Sequence, residues 1–163
     1  MCIRDSGAGT LVLNNGTSDY NGQIQIGNGS VNLGATAALG TNISTSARGV
    51  DLGLNVGDTS MGNNVSLLAS NGVTVGQSIY VAPNTSSATR TIGLSGNGTN
   101  TFNNEIYLAG DLTVSAGNQG TDRVNVSGAI INTGGVIKSG TGMASFSGAN
   151  TYSGSTTINA GTL

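Results

Sequence analysis

Histidine and tryptophan are absent from this chain of 163 residues, cysteine and proline occur once each, and only 7% of positions are charged. Without histidine there is no Ser-His-Asp triad and no histidine-based metal site. Lys138 is the sole lysine and no Gly-Lys-Ser/Thr occurs, which excludes a phosphate-binding loop. A net charge of −2 with five basic residues leaves no electrostatic footprint for nucleic acid. No apolar run approaches the ~20 residues of a membrane-spanning helix. The longest, around Val65-Ser-Leu-Leu-Ala69, is strand-sized. Nowhere do apolar residues hold the 3.6-residue helical period over a long segment, so no long helix is expected.

Hydrophobic content of 36% is low for a globular chain, but disordered chains pair low hydrophobicity with high charge, and charge here is scarce. What is abundant is glycine, at 28 residues, with Asn, Ser and Thr filling most polar positions. Met1 to Ser6 fits neither this composition nor the pattern that follows. It holds the one cysteine, Cys2, and reads as a non-native lead to a segment spanning 7–163. The rest is cysteine-free, as suits a surface protein that does not rely on disulfides.

The two ends of that segment are copies of each other. Gly9 corresponds to Gly142, Leu13 to Phe146, Tyr20 to Tyr152, Gly22 to Gly154, Ile26 to Ile158, Gly29 to Gly161 and Val31 to Leu163. The first copy has one extra residue, in the turn before the tyrosine, where an insertion costs least. A weaker copy at 96–114 puts Phe102 in the tyrosine's place and matches Gly110 and Leu112 to Gly161 and Leu163. Copies thus fall at 7–40, 96–114 and 134–163, and such self-similarity marks a repeat architecture.

Between turns rich in Gly and Asn lie short runs with apolar residues two apart. They include Leu11 and Leu13, Ile24 and Ile26, Val31 and Leu33, and Val50 through Leu52 and Leu54 to Val56. That spacing puts each set on one face of a strand. Further runs follow at 64–69, 73–75, 79–81, 91–95, 106–108, 112–114, 124–126, 129–131 and 136–137. Ala35 to Gly40 is less strand-like and could hold a helical turn, and Pro83 to Thr89 is the most loop-like segment. The expected fold is all-β: a parallel β-helix of about seven coils, ~20–25 residues each, stacked ~4.8 Å apart. Parallel crossovers favour right-handed winding. Leu, Val and Ile would face inward. Outward Thr, Ser and Asn could hydrogen-bond up the stack without the repulsion that stacked like charges suffer.

These residues carry a family likeness. Gly140-x-Gly142, Phe146-Ser-Gly-Ala-Asn-Thr-Tyr-Ser-Gly154 and Ile158-Asn-Ala-Gly-Thr-Leu163 resemble the autotransporter-associated β-strand repeat, also called the passenger-associated transport repeat. Gly7 to Gly40 is similar but looser, with Asn28 where the repeat usually has Ala. The resemblance implies a right-handed β-helical passenger of a large exported protein on the surface of a bacterium with an outer membrane. It implies as partner the rest of a longer chain, with an outer-membrane barrel or another sorting signal. The repeat is associated with export and passenger folding and carries no catalytic residues.

No catalytic residue, cofactor or metal site is therefore expected. Carbohydrate-active β-helix enzymes need two neighbouring carboxylates, whereas Asp19, Asp51, Asp58, Glu105, Asp111 and Asp122 are scattered and read as solvated turn residues. Asp111 and Asp122 could at most line a weak calcium site. Tyr20, Phe102 and Tyr152 could form a sugar-stacking strip, but their fixed place in the repeat favours structural plugs. The leading reading is a non-enzymatic stalk and export repeat. The alternative is an adhesin that binds glycans or host surfaces through a Thr/Asn-rich face. A segment cut in mid-repeat would expose open β edges and self-associate.

Overall fold

The computed structural model describes residues 3–5, 7–18, 20, 22–40, 49–53, 62–84 and 87–163, with only the backbone described for 3–5. Among them the regular elements are all strands. The chain runs through β1 (Ile3–Asp5), β2 (Thr10–Leu13), β3 (Ile24–Ile26), β4 (Gly29–Leu33), β5 (Val50–Leu52) and β6 (Val65–Ala69). It continues through β7 (Thr74–Val75), β8 (Ile79–Val81), β9 (Arg90–Leu94), β10 (Thr99–Phe102), β11 (Ile106–Leu108) and β12 (Leu112–Ser115). The last five are β13 (Arg123–Val126), β14 (Ile130–Asn132), β15 (Val136–Ser139), β16 (Met143–Phe146) and β17 (Thr156–Ile158).

Every pairing is parallel and joins a strand to its counterpart one coil away, which makes the fold a β-solenoid with three faces. Face A stacks β1-β3-β5-β8-β11-β14, face B stacks β2-β4-β6-β9-β12-β15-β17, and face C stacks β7-β10-β13-β16. The turns come out at about five, somewhat below the seven expected. Seven strands stack on face B, but face C has four among the described residues, so fewer coils display all three faces. Coil length is also uneven: in-register partners lie 20 residues apart from Thr10 to Ser30 but 36 apart from Ser30 to Ser66.

Alternation of side chains along each strand builds the core. Ile24, Val50, Ile79, Ile106 and Ile130 form one inward column of face A, all buried. Val31, Leu67, Ile92 and Val114 do the same on face B, and Val75, Phe102 and Val126 on face C. Each such burial contributes about 1.5–3 kcal/mol. Outward on face B runs Thr10, Ser30, Ser66, Thr91, Thr113, Ile137 and Thr157, one residue per coil. The Ser30 and Ser66 hydroxyls hydrogen-bond across coils at 2.6 Å, which is the contact that stacked charges could not make.

Corners use Gly and Asn. Asn132 has a left-handed φ of 84°, and its side chain donates to the Leu108 carbonyl one coil away at 3.0 Å. Asn104 reaches the Gly76 carbonyl in the same way at 2.9 Å. The helical turn considered for Ala35 to Gly40 is instead two tight turns, closed by Ala38 N–H to Ala35 O and Gly40 N–H to Ala37 O. Leu54 and Val56 lie outside the described residues. The reading of 1–6 as a foreign lead also falls largely outside them; the backbone of Ile3–Asp5 runs beside β3.

Candidate functional site

The feature that recurs with the repeat is a corner where the coil lands on its own beginning. Gly29 has a φ of +79°, and a Cβ placed there would lie 2.4 Å from the Gly9 carbonyl oxygen and 2.5 Å from that of Gly7. Gly161, its counterpart, has a φ of +71°, and a Cβ there would lie 2.2 Å and 2.7 Å from the carbonyl oxygens of Gly142 and Gly140. Neither position admits a side chain, for backbone conformation and for space. The next residue seals the contact: Ser30 N–H donates to Gly9 O at 3.0 Å, and Thr162 N–H to Gly142 O at 3.2 Å. The two closures span 20 and 19 residues, from Thr10 to Ser30 and from Met143 to Thr162, so the extra residue lengthens one coil and leaves the corner intact.

The copies do not occupy the same faces. The first opens on face B with β2 and returns to it with β4, whereas the second opens on face C with β16 and returns there at Thr162. Leu13 and Phe146, equivalent in sequence, therefore line different walls. Gly154 packs against the backbone of Gly134, and Gly142 against the Ala116 carbonyl, while Gly9 has open space around it. The weak copy lacks the corner: Gly110 is not left-handed and faces Ala82 and Asn84. Leu112 is fully buried, whereas Ile158 and Leu163 are exposed on the last described coil.

Phe102 lies in the core, and Tyr20, Phe146 and Tyr152 pack partly buried against it. The tyrosine hydroxyls close local loops, Tyr20 donating to the Gln23 carbonyl and Tyr152 pairing with the Thr156 hydroxyl at 2.7 Å. The three positions proposed as a sugar strip thus have their rings turned to the core. Sequence reasoning missed the aromatic pair that does face outward. Tyr80 and Tyr107 stack on face A with centroids 5.6 Å apart and planes 18° apart. Their ring faces are spent on each other, which makes a ladder and not a sugar platform. The shared Ile-Tyr-Val and Ile-Tyr-Leu triplets were the available signal.

Face B carries a groove of about 480 Å³, lined by Asn28, Ser30, Asn64, Ser66, Leu68, Thr89, Thr91 and Ser115 among others, none of them charged. It opens where the outward column runs Leu68, Gly93, Ser115 and Gly93 contributes no side chain.

Two stretches, residues 4–33 and 136–163, match the family model described as the passenger-associated-transport-repeat. The chain carries this transport repeat twice. The matches coincide with the two copies that have the glycine corner. No significant match was found among curated proteins or solved structures.

Around the transport repeats the acidic residues serve the backbone. Asp51 and Asp122, read from sequence as solvated, are buried. Asp51 sits in β5 and accepts from Gln23 Nε2 at 2.7 Å. Asp122 accepts the N–H groups of Gly98 (2.8 Å), Asn118 (3.0 Å) and Gln119 (2.9 Å), which supply the solvation that water would. Asp111 is exposed but accepts Gly135 N–H at 2.7 Å, and Glu105 is exposed. Asp111 and Asp122 thus cap different corners, and among the described residues no group of three acidic or cysteine side chains could hold a metal. Asp19 and Asp58 lie outside the described residues.

The Gly98 and Gln119 N–H groups hold the Asp122 pKa below its ordinary 3.8; burial opposes them and Asn118 assists. A depressed folded-state pKa contributes stability above the unfolded value that is lost as pH falls through the folded one. Asp122→Asn should therefore melt at a lower temperature at neutral pH and lose part of its acid dependence below pH ~4. Thermal melts followed by circular dichroism from pH 2 to 7 test this. Parallel curves for variant and parent would contradict it.

Proposed function

We propose that this chain is a non-enzymatic structural segment of an exported, autotransporter-like surface protein, in which the transport repeat acts as a coil-closing unit of a stalk. The observation that carries this reading is the recurrence of the self-docking corner in both matched copies, on different faces. A motif tied to a binding face would recur on that face; one tied to closing a coil need not. The roles of Asp51, Asp111 and Asp122 as backbone partners support the non-enzymatic part.

Duplicating residues 142–160 tests it, because the duplicated Gly142 would land where Gly161 now lands. The expected product keeps its β-sheet circular dichroism and lengthens by about 4.8 Å per added coil in solution scattering. Loss of the folded signal would sink the idea of a self-contained coil. Ile158, over Lys138 on the last described coil, is the surface on which a further coil would be laid. In the isolated chain we propose that a second copy takes that place. The second reading, an adhesin, is favoured by one observation, the uncharged hydroxyl-lined groove of face B.

A further inference from the structure

We infer that the face B groove is a binding site for a neutral oligosaccharide, an inference that rests on the adhesin reading and gives it a place and a ligand class. The groove's composition sets the class. Ser30, Ser66, Thr91, Ser115 and Asn64 supply hydroxyl and carboxamide groups, Leu68 supplies an apolar patch, and no Lys, Arg, Asp or Glu lines it. A sugar ring has hydroxyls at its edge and C–H groups on its faces, so it matches both. Sialylated, sulfated or phosphorylated ligands would bring a charge with no counter-charge to meet it.

The main chain excludes the obvious rival. β4, β6 and β9 each have a parallel partner on both sides, so their N–H and C=O groups are committed and no sheet edge is open to an extended peptide. Recognition must run through side chains. These are arrayed one per coil along the solenoid axis, Ser30 to Ser66 to Thr91, which suits a linear chain of sugars lying across coils. The volume of about 480 Å³ falls in the range of small-ligand sites and holds a short oligosaccharide.

The test is titration of the whole chain with maltotriose, cellotriose and chitotriose, against a sialylated trisaccharide. At least one neutral trisaccharide should bind and the sialylated one should not. A Ser66→Ala/Thr91→Val double variant, which removes two outward hydroxyls, should weaken binding about tenfold or more. Thr101→Val, outward on face C, should leave it unchanged, and Leu68→Arg should abolish it by filling the groove. All variants alter outward positions, and circular dichroism checks that each is folded. Neutral-sugar binding that survives both groove variants would overturn the groove site while leaving adhesion standing. No binding by the parent chain would overturn both.

Discussion

Gly29→Ala is expected to detach the first coil, at a cost of about 3–5 kcal/mol, whereas Gly72→Ala should cost only about 1–2 kcal/mol. Both glycines are left-handed, with φ of +79° and +78°, so both substitutions pay the same conformational penalty. The difference is space. Around Gly72 a Cβ meets nothing within 4 Å, while at Gly29 it would meet two carbonyl oxygens at 2.4 and 2.5 Å. Those oxygens belong to backbone and cannot rotate away. The coil must lift, and lifting it breaks the Ser30 to Gly9 hydrogen bond, leaving buried groups unpaired. In a stacked fold each coil answers mainly to its neighbours, so the loss should stay local. Amide hydrogen exchange should show residues 7–33 losing protection while the strands from 106 to 139 keep theirs. Gly161→Ala should do the same at the last coil. Unchanged protection in either variant would remove the self-docking corner as the basis of the repeat.

That corner was half legible in the sequence. Matched glycines at 9 and 142, and at 29 and 161, gave the pairing of the copies, and two-residue alternation gave the short strands and the inward Ile, Leu and Val. Parallel stacking followed from strands too short for a sandwich and from a surface with few charges. The phase of each copy could not follow, because the face on which a coil starts depends on every corner before it. The coil of 36 residues between Ser30 and Ser66 shifts that phase without any mark in the pattern. The same reason hid the Tyr80–Tyr107 ladder, whose members are 27 residues apart in the chain and adjacent in space. Buried polar residues were the other failure. Arg90 lies fully buried opposite Val65, its guanidinium on the carbonyls of Asn63, Thr89 and Pro83. Asn100, equally inward, donates to the carbonyls of Ala69 and Gly93 at 3.0 and 2.7 Å. Their partners are backbone oxygens of distant segments, and no residue type in the sequence announces them.

Lys138 belongs to that class, and its removal should be the second large loss. In the inward column of face B it follows Val114 and precedes Ile158, a place where the pattern demands an aliphatic residue. Its stem fills that place, and its ammonium donates to the carbonyls of Ser139, Gly140 and Ala160 at 2.8, 2.7 and 3.0 Å. Gly140 begins the second transport repeat and Ala160 nearly ends it, so this one side chain ties the repeat's start to its close. Lys138→Ala removes both the packing and the donor and should cost about 3–5 kcal/mol. Lys138→Met keeps the packing and should cost about 1–3 kcal/mol. The order of the two is the informative result, since a merely space-filling lysine would make Met neutral. Burial pushes the Lys138 pKa below its ordinary 10.5, outweighing the carbonyls that favour the ammonium. Between the lowered folded value and 10.5 the unfolded chain binds more protons, so stability should rise with pH across that window. Thermal melts from pH 7 to 10.5 should show that rise in the parent and not in Lys138→Met. An equal slope in both would mean that the charge on Lys138 has no part in closing the last coil.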